Sequence, residues 1–287
     1  IILVSNTGFG QTGPEAKTRG YDTVFQALSG VMHLTGHPDG GPAKVGVPIA
    51  DLSSSLWIMI ATLVGVVDRN RTGAGSHWDV AMMDIQASLH AISSTRLFAH
   101  DEDLERTGTQ HPGRVPSAAF RCADNRYVHI SVSDQHWSPL CGALGIEADA
   151  EQRWSTNAQR VTDREAVMDL LESTFGELDH ATAVSRLRGR GVPVGLVQTP
   201  REALTSDQAR HRNTVQTFEH PAVGTFSGIT TPLRRTGEPA PAMSAPPELG
   251  ADTLDVLRDV LHLDGATIDR LDHEGAVITP RHAEEKS

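Results

Sequence analysis

One carboxylate, Asp51, closes the run Val45-Gly46-Val47-Pro48-Ile49-Ala50 and is followed by Ser53-Ser54-Ser55 and an almost wholly apolar stretch, residues 56–67. The pattern predicts a short strand over residues 45–50, made irregular by Pro48, then a serine-rich turn and a helix over residues 56–67. Asp51 would stand at the strand-to-helix junction, where two chemistries are open to it. As an N-cap, its side-chain oxygen accepts an orphan N–H of the first turn. As a nucleophile, the same N–H groups and the positive end of the helix hold it ionised and aimed into a cleft. Local pattern leaves both readings open.

Other chemistry-bearing residues are fewer than a first scan suggests. Arg19-Gly20-Tyr21-Asp22 leads into a helix predicted over residues 23–29 and ended by Gly30, so that Asp22 reads as its N-cap and Arg19 as a surface charge. Gly8-Phe9-Gly10-Gln11-Thr12-Gly13 matches the G-x-G-x-x-G dinucleotide fingerprint, but the polar stretch Pro14-Glu15-Ala16-Lys17-Thr18-Arg19 follows where an apolar helix should begin. The glycines fit better as a loop passing close to a ligand or a neighbouring chain. Among the 14 histidines, His33 and His37 are spaced like helical metal ligands, yet Thr35-Gly36 between them breaks a helix and no H-E-x-x-H occurs, so no metal is expected. Neither a G-x-S-x-G elbow nor a P-loop signature is present.

The elements that must position these residues alternate between strand and helix. A strand at residues 1–5 precedes the glycine loop; after the Asp51 helix come a strand at 77–81 and a helix over 82–99. A hairpin over 118–122 and 127–133 turns at Ala123-Asp124-Asn125-Arg126, followed by helices at 135–144, 157–175 and 181–190 and a strand at 192–198. Two more strands, 215–219 and 225–233, a proline-rich linker, and helices at 248–262 and 266–273 close the chain. The expected organisation is a large domain part over 1–100, a linker over 101–116, a small α+β domain over 117–235, a linker over 236–247, and C-terminal helices over 248–287 returning to the large domain.

A formal net charge of −11 speaks against nucleic acid and anionic membranes as main partners. Cys122 and Cys141 show no metal spacing and read as buried free thiols of a reducing compartment. The longest apolar run, residues 56–67, is shorter than a membrane span, and no secretory signal opens the sequence. A cytoplasmic protein with no membrane partner is the expectation.

Taken together, Gly8 to Pro14, Arg19-Gly20-Tyr21-Asp22, Gln26-Ala27-Leu28-Ser29-Gly30, Thr35-Gly36, Val45 to Asp51, Arg71-Thr72-Gly73-Ala74-Gly75, Arg106-Thr107-Gly108, His111-Pro112, Pro116 to Asp124, Gly191-Val192-Pro193-Val194-Gly195 and Pro246-Pro247-Glu248-Leu249-Gly250 resemble, in order and spacing, the family III CoA-transferases. The resemblance covers nearly the whole chain. It implies an α/β fold with an incomplete Rossmann-like large domain and a smaller α+β domain, several βα units of the CoA-binding domain standing before the strand that opens this sequence. It implies an intertwined homodimer, coenzyme A bound as acyl-CoA substrate, and a carboxylic acid as second substrate. On the same resemblance Asp51 is the nucleophile, Arg19 and Gly20 approach CoA, and Tyr21 and Asp22 shape the reacting end. The related acyl-CoA racemases carry a histidine where this chain has Tyr21, which argues against racemisation. A racemase remains the alternative, beside a non-catalytic or split subunit that a separate N-terminal half completes.

Overall fold

The apolar run at the start forms strand β1 (Ile2–Thr7), which pairs in parallel with β2 (Ser76–Ala81), Ile2 opposite Ser76 and Thr7 opposite Ala81. Parallel neighbours need a crossover, and this one carries three helices, α1 (Asp22–Leu28), α2 (Val31–Leu34) and α3 (Ile49–Thr72). The computed structural model of the chain describes residues 1–220 and 223–279, in two compact units, residues 1–197 and 198–287.

Helix α3 is longer than the apolar run that predicts it. The three serines lie inside the helix, because each hydroxyl donates to a carbonyl one turn back: Ser53 Oγ to Ile49 O at 2.6 Å, Ser54 Oγ to Ala50 O at 2.7 Å and Ser55 Oγ to Asp51 O at 3.0 Å. Hydroxyls satisfied in this way do not compete with the helix. The strand expected over residues 45–50 is absent: Pro48 has no N–H to give a ladder, and the Val45 N–H is taken by the Gln26 side chain. At 24 residues, with a mean hydropathy of 1.7 in its most apolar window, α3 is also long and apolar enough to cross a membrane, which the shorter predicted run was not. One face packs on the strands. A Cβ at Gly65 would meet Ile2 Cγ2 at 2.8 Å and Trp78 Nε1 at 3.0 Å, so a side-chain-free position lets helix and sheet touch. Leu56, Leu63 and Val67 remain exposed.

After β2 the single helix expected over residues 82–99 is broken into α4 (Met82–Ser88) and α5 (Ser93–His100). Three successive N–H groups, of Leu89, His90 and Ala91, bond to the third carbonyl back and tighten the chain there.

The remainder of the first unit is built on an antiparallel sheet, β3 (Ser117–Arg121), β4 (Tyr127–Ser131) and β5 (Val194–Leu196), in the order β3-β4-β5. Helices α6 (Asp134–Leu144), α7 (Ala148–Arg153), α8 (Asn157–Thr162), α9 (Arg164–Gly176) and α10 (His180–Gly189) lie between β4 and β5 in sequence. Their apolar faces and the sheet share one core, in which Phe120 and Phe175 stack at 4.9 Å and Trp137, Ile130, Leu171 and Leu187 are buried. The helix expected over 157–175 divides at Asp163, which is held by Arg153 and by the Trp154 indole. Arg160 is fully buried, yet it donates to Val115 O, Trp154 O and Asp134 Oδ1 and lies over the Trp137 ring, so no charge is left bare. Cys122 and Cys141 are free and buried, and burial pushes the Cys141 thiol up to about 12, far from a reactive thiolate.

The second unit holds α11 (Pro200–Leu204), α12 (Asp207–His211), an antiparallel hairpin of β6 (Val215–His220) and β7 (Gly224–Ile229), the short α13 (Thr253–Asp255) continued by a wide turn over Val256–Val260, and α14 (Gly265–His273). Residues 280–287 of the expected C-terminal segment lie outside the described residues.

Candidate functional site

Asp22 is the first residue of α1, preceded by Tyr21 in extended conformation, so its carboxylate does not cap its own helix. It caps another. Oδ1 accepts from the N–H of Ala50 at 2.7 Å and from that of Asp51 at 3.3 Å, joining residues 28 and 29 positions apart at the start of α3. Oδ2 accepts from Gln26 Nε2 at 2.6 Å, one turn further along α1. Gln26 is fully buried, and its Oε1 accepts from the Val45 N–H at 2.8 Å. One carboxylate and one amide therefore tie α1, the loop before α3 and the first turn of α3.

Asp51 is the third residue of α3, inside the helix and not at the junction before it that the sequence pattern suggests. The N-cap position belongs to Pro48, whose ring has no hydrogen-bond acceptor to offer. The first amides of α3 are all occupied: Ile49 N–H by Val47 O, Ala50 and Asp51 N–H by Asp22, and Leu52 N–H by Pro48 O. The Asp51 carboxylate itself is exposed and takes no hydrogen bond or ion pair from a described residue. The N–H groups of Ser53, Ser54 and Ser55, which the sequence pattern places in a turn, lie within the helix and point at its carbonyls.

A second buried glutamine, Gln86 on α4, donates from Nε2 to Ser53 Oγ at 3.0 Å; its Oε1 is buried without a partner among the described residues. Sequence reasoning singled out neither glutamine. Gln26 stands within a stretch that carries the family resemblance, but a glutamine on a short helix reads as a surface residue.

The other predicted residues have distinct surroundings. Arg19 is exposed and Tyr21 is 84% exposed. Gly20 has a packing reason for its type, since a Cβ there would meet the Phe25 ring at 2.7 Å; Gly8, the first glycine of the fingerprint, faces the same ring at 2.6 Å. The glycine loop is anchored by Gln11 N–H on Asp79 Oδ2 at 2.8 Å and by Gly10 N–H on Thr7 Oγ1 at 3.0 Å, and turns rather than a helix follow it. Two amides that a pyrophosphate would need are thus already engaged. An apolar cavity of 460 Å³ in the same unit is lined by residues that include His33, His90, Leu97 and Phe98, and by none of Arg19, Gly20, Tyr21, Asp22 or Asp51. Among the described residues no three His, Cys, Asp or Glu side chains come together as a metal site would require.

Comparison with known proteins bears on this arrangement. The family model of CoA-transferase family III matches residues 1–253. The chain is 31% identical over 278 residues to the succinyl-CoA:glutarate CoA-transferase of Mus musculus, covering 96% of this chain and 64% of that protein. It is 31% identical to the succinyl-CoA:mesaconate CoA-transferase of Haloarcula marismortui, covering 86% and 63%. The chain thus spans a little under two thirds of the length of these relatives. A CAIB/BAIF family protein from Brucella suis has a similar fold, with a TM-score of 0.76 and 31% identity over 91% of this chain and 68% of that one. The mixed α/β architecture expected from the sequence is the architecture of that structure, and the chain belongs to CoA-transferase family III.

Proposed function

We propose that the protein moves coenzyme A from an acyl-CoA donor to a carboxylic acid acceptor, with Asp51 as the covalent carrier. The observation that carries this reading is the pairing at the start of α3. Asp22 occupies the first-turn amides, and Asp51, beside it, is left exposed with no partner among the described residues. A carboxylate in that state is an available nucleophile, and no general base is needed because the anion itself attacks.

The steps balance without water. An Asp51 oxygen attacks the thioester carbon, the C–S bond breaks, and CoA leaves as thiolate from a mixed anhydride. The thiolate then attacks the Asp51 carbonyl, the anhydride C–O bond breaks, and the donor acid departs, leaving an aspartyl-CoA thioester. The acceptor carboxylate attacks that thioester and releases the thiolate. The thiolate finally takes the acceptor's acyl group from the second anhydride and frees Asp51. Each intermediate is prone to hydrolysis, so exclusion of water is part of the mechanism. Donors to the developing oxyanions must come from groups other than the first amides of α3, which are engaged.

The named relatives act with succinyl-CoA and on glutarate or mesaconate, which supports a dicarboxylic acid as acceptor. Arg19, Gly20 and Tyr21 belong to the same reading as CoA contacts, and a cytoplasmic homodimer of two-domain subunits, divided near residues 101–116 and 236–247, as its assembly. The test is intact-mass analysis after succinyl-CoA and then hydroxylamine, with Asp51→Ala alongside. A hydroxamate that maps to Asp51 and is missing from the variant supports the covalent route. Turnover by Asp51→Ala would refute it.

A further inference from the structure

We propose that Gln26 is a positioning residue for Asp51: it locks the Asp22 carboxylate onto the start of α3 and so fixes the direction in which the Asp51 carboxylate is presented. The inference rests on the reading of Asp51 as the reacting group and assigns Gln26 an action through Asp22, not on substrate.

Burying a primary amide is costly unless both of its ends are bonded. Gln26 is fully buried and both ends are bonded, one of them at 2.6 Å to an acidic side chain, the shorter and stronger kind of contact. The amide also has one permitted orientation. Turned over, Nε2 would face the Val45 N–H and Oε1 would face the Asp22 carboxylate, donor against donor and acceptor against acceptor. The two neighbours thus fix the side chain, and the side chain fixes the rotation of Asp22.

That rotation matters because α3 starts without a cap of its own. The Pro48 ring offers no acceptor, and Asp22 Oδ1 supplies the acceptor for two successive amides, the second being that of Asp51. If Asp22 is free to turn, the first turn of α3 can fray, as helix ends do when their orphan N–H groups lose partners. Asp51 is the third residue of that turn and would lose its fixed backbone. A misdirected reacting group loses rate rather than substrate affinity, which separates this role from a substrate contact.

The test uses four variants and two measurements. Gln26→Met keeps the length and removes both hydrogen bonds. Asp22→Asn sets two NH₂ groups against each other, and Gln26→Glu sets two carboxyl groups against each other. Combining Asp22→Asn with Gln26→Glu rebuilds the chain of bonds: the amide at 22 still accepts from the helix and donates to the carboxylate at 26, whose other oxygen still accepts from Val45. The first measurement is amide hydrogen exchange at Val45, Ala50 and Asp51, with exchange in β3 and β4 as the control for an intact fold. The second is the rate of the hydroxylamine-trapped adduct on Asp51 against succinyl-CoA concentration.

In Gln26→Met the three amides should exchange at least about 10-fold faster, and the maximal adduct rate should fall about 10- to 100-fold, the range expected for losing a hydrogen bond to a charged group. The half-saturating concentration should stay within about 3-fold. Each single exchange should show the same loss, and the combined variant should recover most of it. Unchanged exchange at Ala50 and Asp51, a loss confined to the half-saturating concentration, or a combined variant no better than the singles would overturn the proposal. If the unsubstituted protein forms no adduct, the reading of Asp51 fails by itself. The exchange rates then still decide whether Gln26 fixes the helix start.

Discussion

Removing one of the two carboxylates at the start of α3 should cost far more stability than removing the other. In Asp22→Ala, the Ala50 and Asp51 N–H groups lose their acceptor, a loss of about 1 kcal/mol for a missing N-cap. A negative charge leaves the positive end of a helix, worth about 0.3–1 kcal/mol. The buried Gln26 Nε2 loses its partner, at about 1–3 kcal/mol. The sum is about 2–5 kcal/mol, a large share of the roughly 5–15 kcal/mol that holds a domain. In Asp51→Ala no hydrogen bond from a described residue is lost and only a first-turn charge goes, so the change should stay within about 1 kcal/mol. The assay is urea unfolding followed by tryptophan fluorescence. All four tryptophans, Trp57, Trp78, Trp137 and Trp154, lie in the unit spanning residues 1–197, so the signal reports that unit alone. A shift in midpoint at constant slope is read as stability. Equal losses in the two variants, or a loss below about 0.5 kcal/mol in Asp22→Ala, would refute the assignment of the cap.

Two other outcomes follow from the packing and the charges. Gly65→Ala forces a methyl against Ile2, Trp78 and Ser76 where α3 meets the strands, and should destabilise by about 1–3 kcal/mol in the same unfolding assay. Asp163 is held below the usual carboxylate range by its bond from the Trp154 indole and then by Arg153. A group depressed in the folded state contributes stability that is present above its unfolded value and lost as pH falls through the folded one. The stability gap between the unsubstituted protein and Asp163→Asn should therefore be full at neutral pH and close below about pH 3.9, measured as unfolding midpoints across an acid series.

How far the residues foretold the site can be seen at Asp22 and Asp51. The alternation of strand and helix, the turn at residues 123–126 and a helix following Asp51 are all present in local pattern, because hydrophobic period and turn residues are short-range signals. What failed was the assignment of caps. Asp22 reads as the cap of the helix it begins, and Asp51 as the cap of the helix it precedes, since an N-cap signature names a residue type and not the helix it serves. The structure gives Asp22 to a helix 28 residues on and places Asp51 inside that helix, a non-local exchange that no window of sequence contains. The serines misled for a related reason: their hydroxyls can end a helix or bond back into it, and the carbonyls of residues 49–51 decided the matter.

The aromatic ring between Gly8 and Gly20 has a consequence for reading other sequences. Phe25 lies so close to both positions that neither tolerates a methyl, so the first glycine of the apparent nucleotide fingerprint is required by the width of a phenyl group. Size at residues 8, 20 and 25 is therefore shared among three places, two of them outside the motif. Among homologues, a larger residue at 8 or 20 should be accompanied by a smaller one at 25, a trade that selection for a bound nucleotide would not produce. A glycine signature can thus be sustained by one side chain's need for room, and a motif search that ignores the partner outside the motif will mistake a steric requirement for a ligand site.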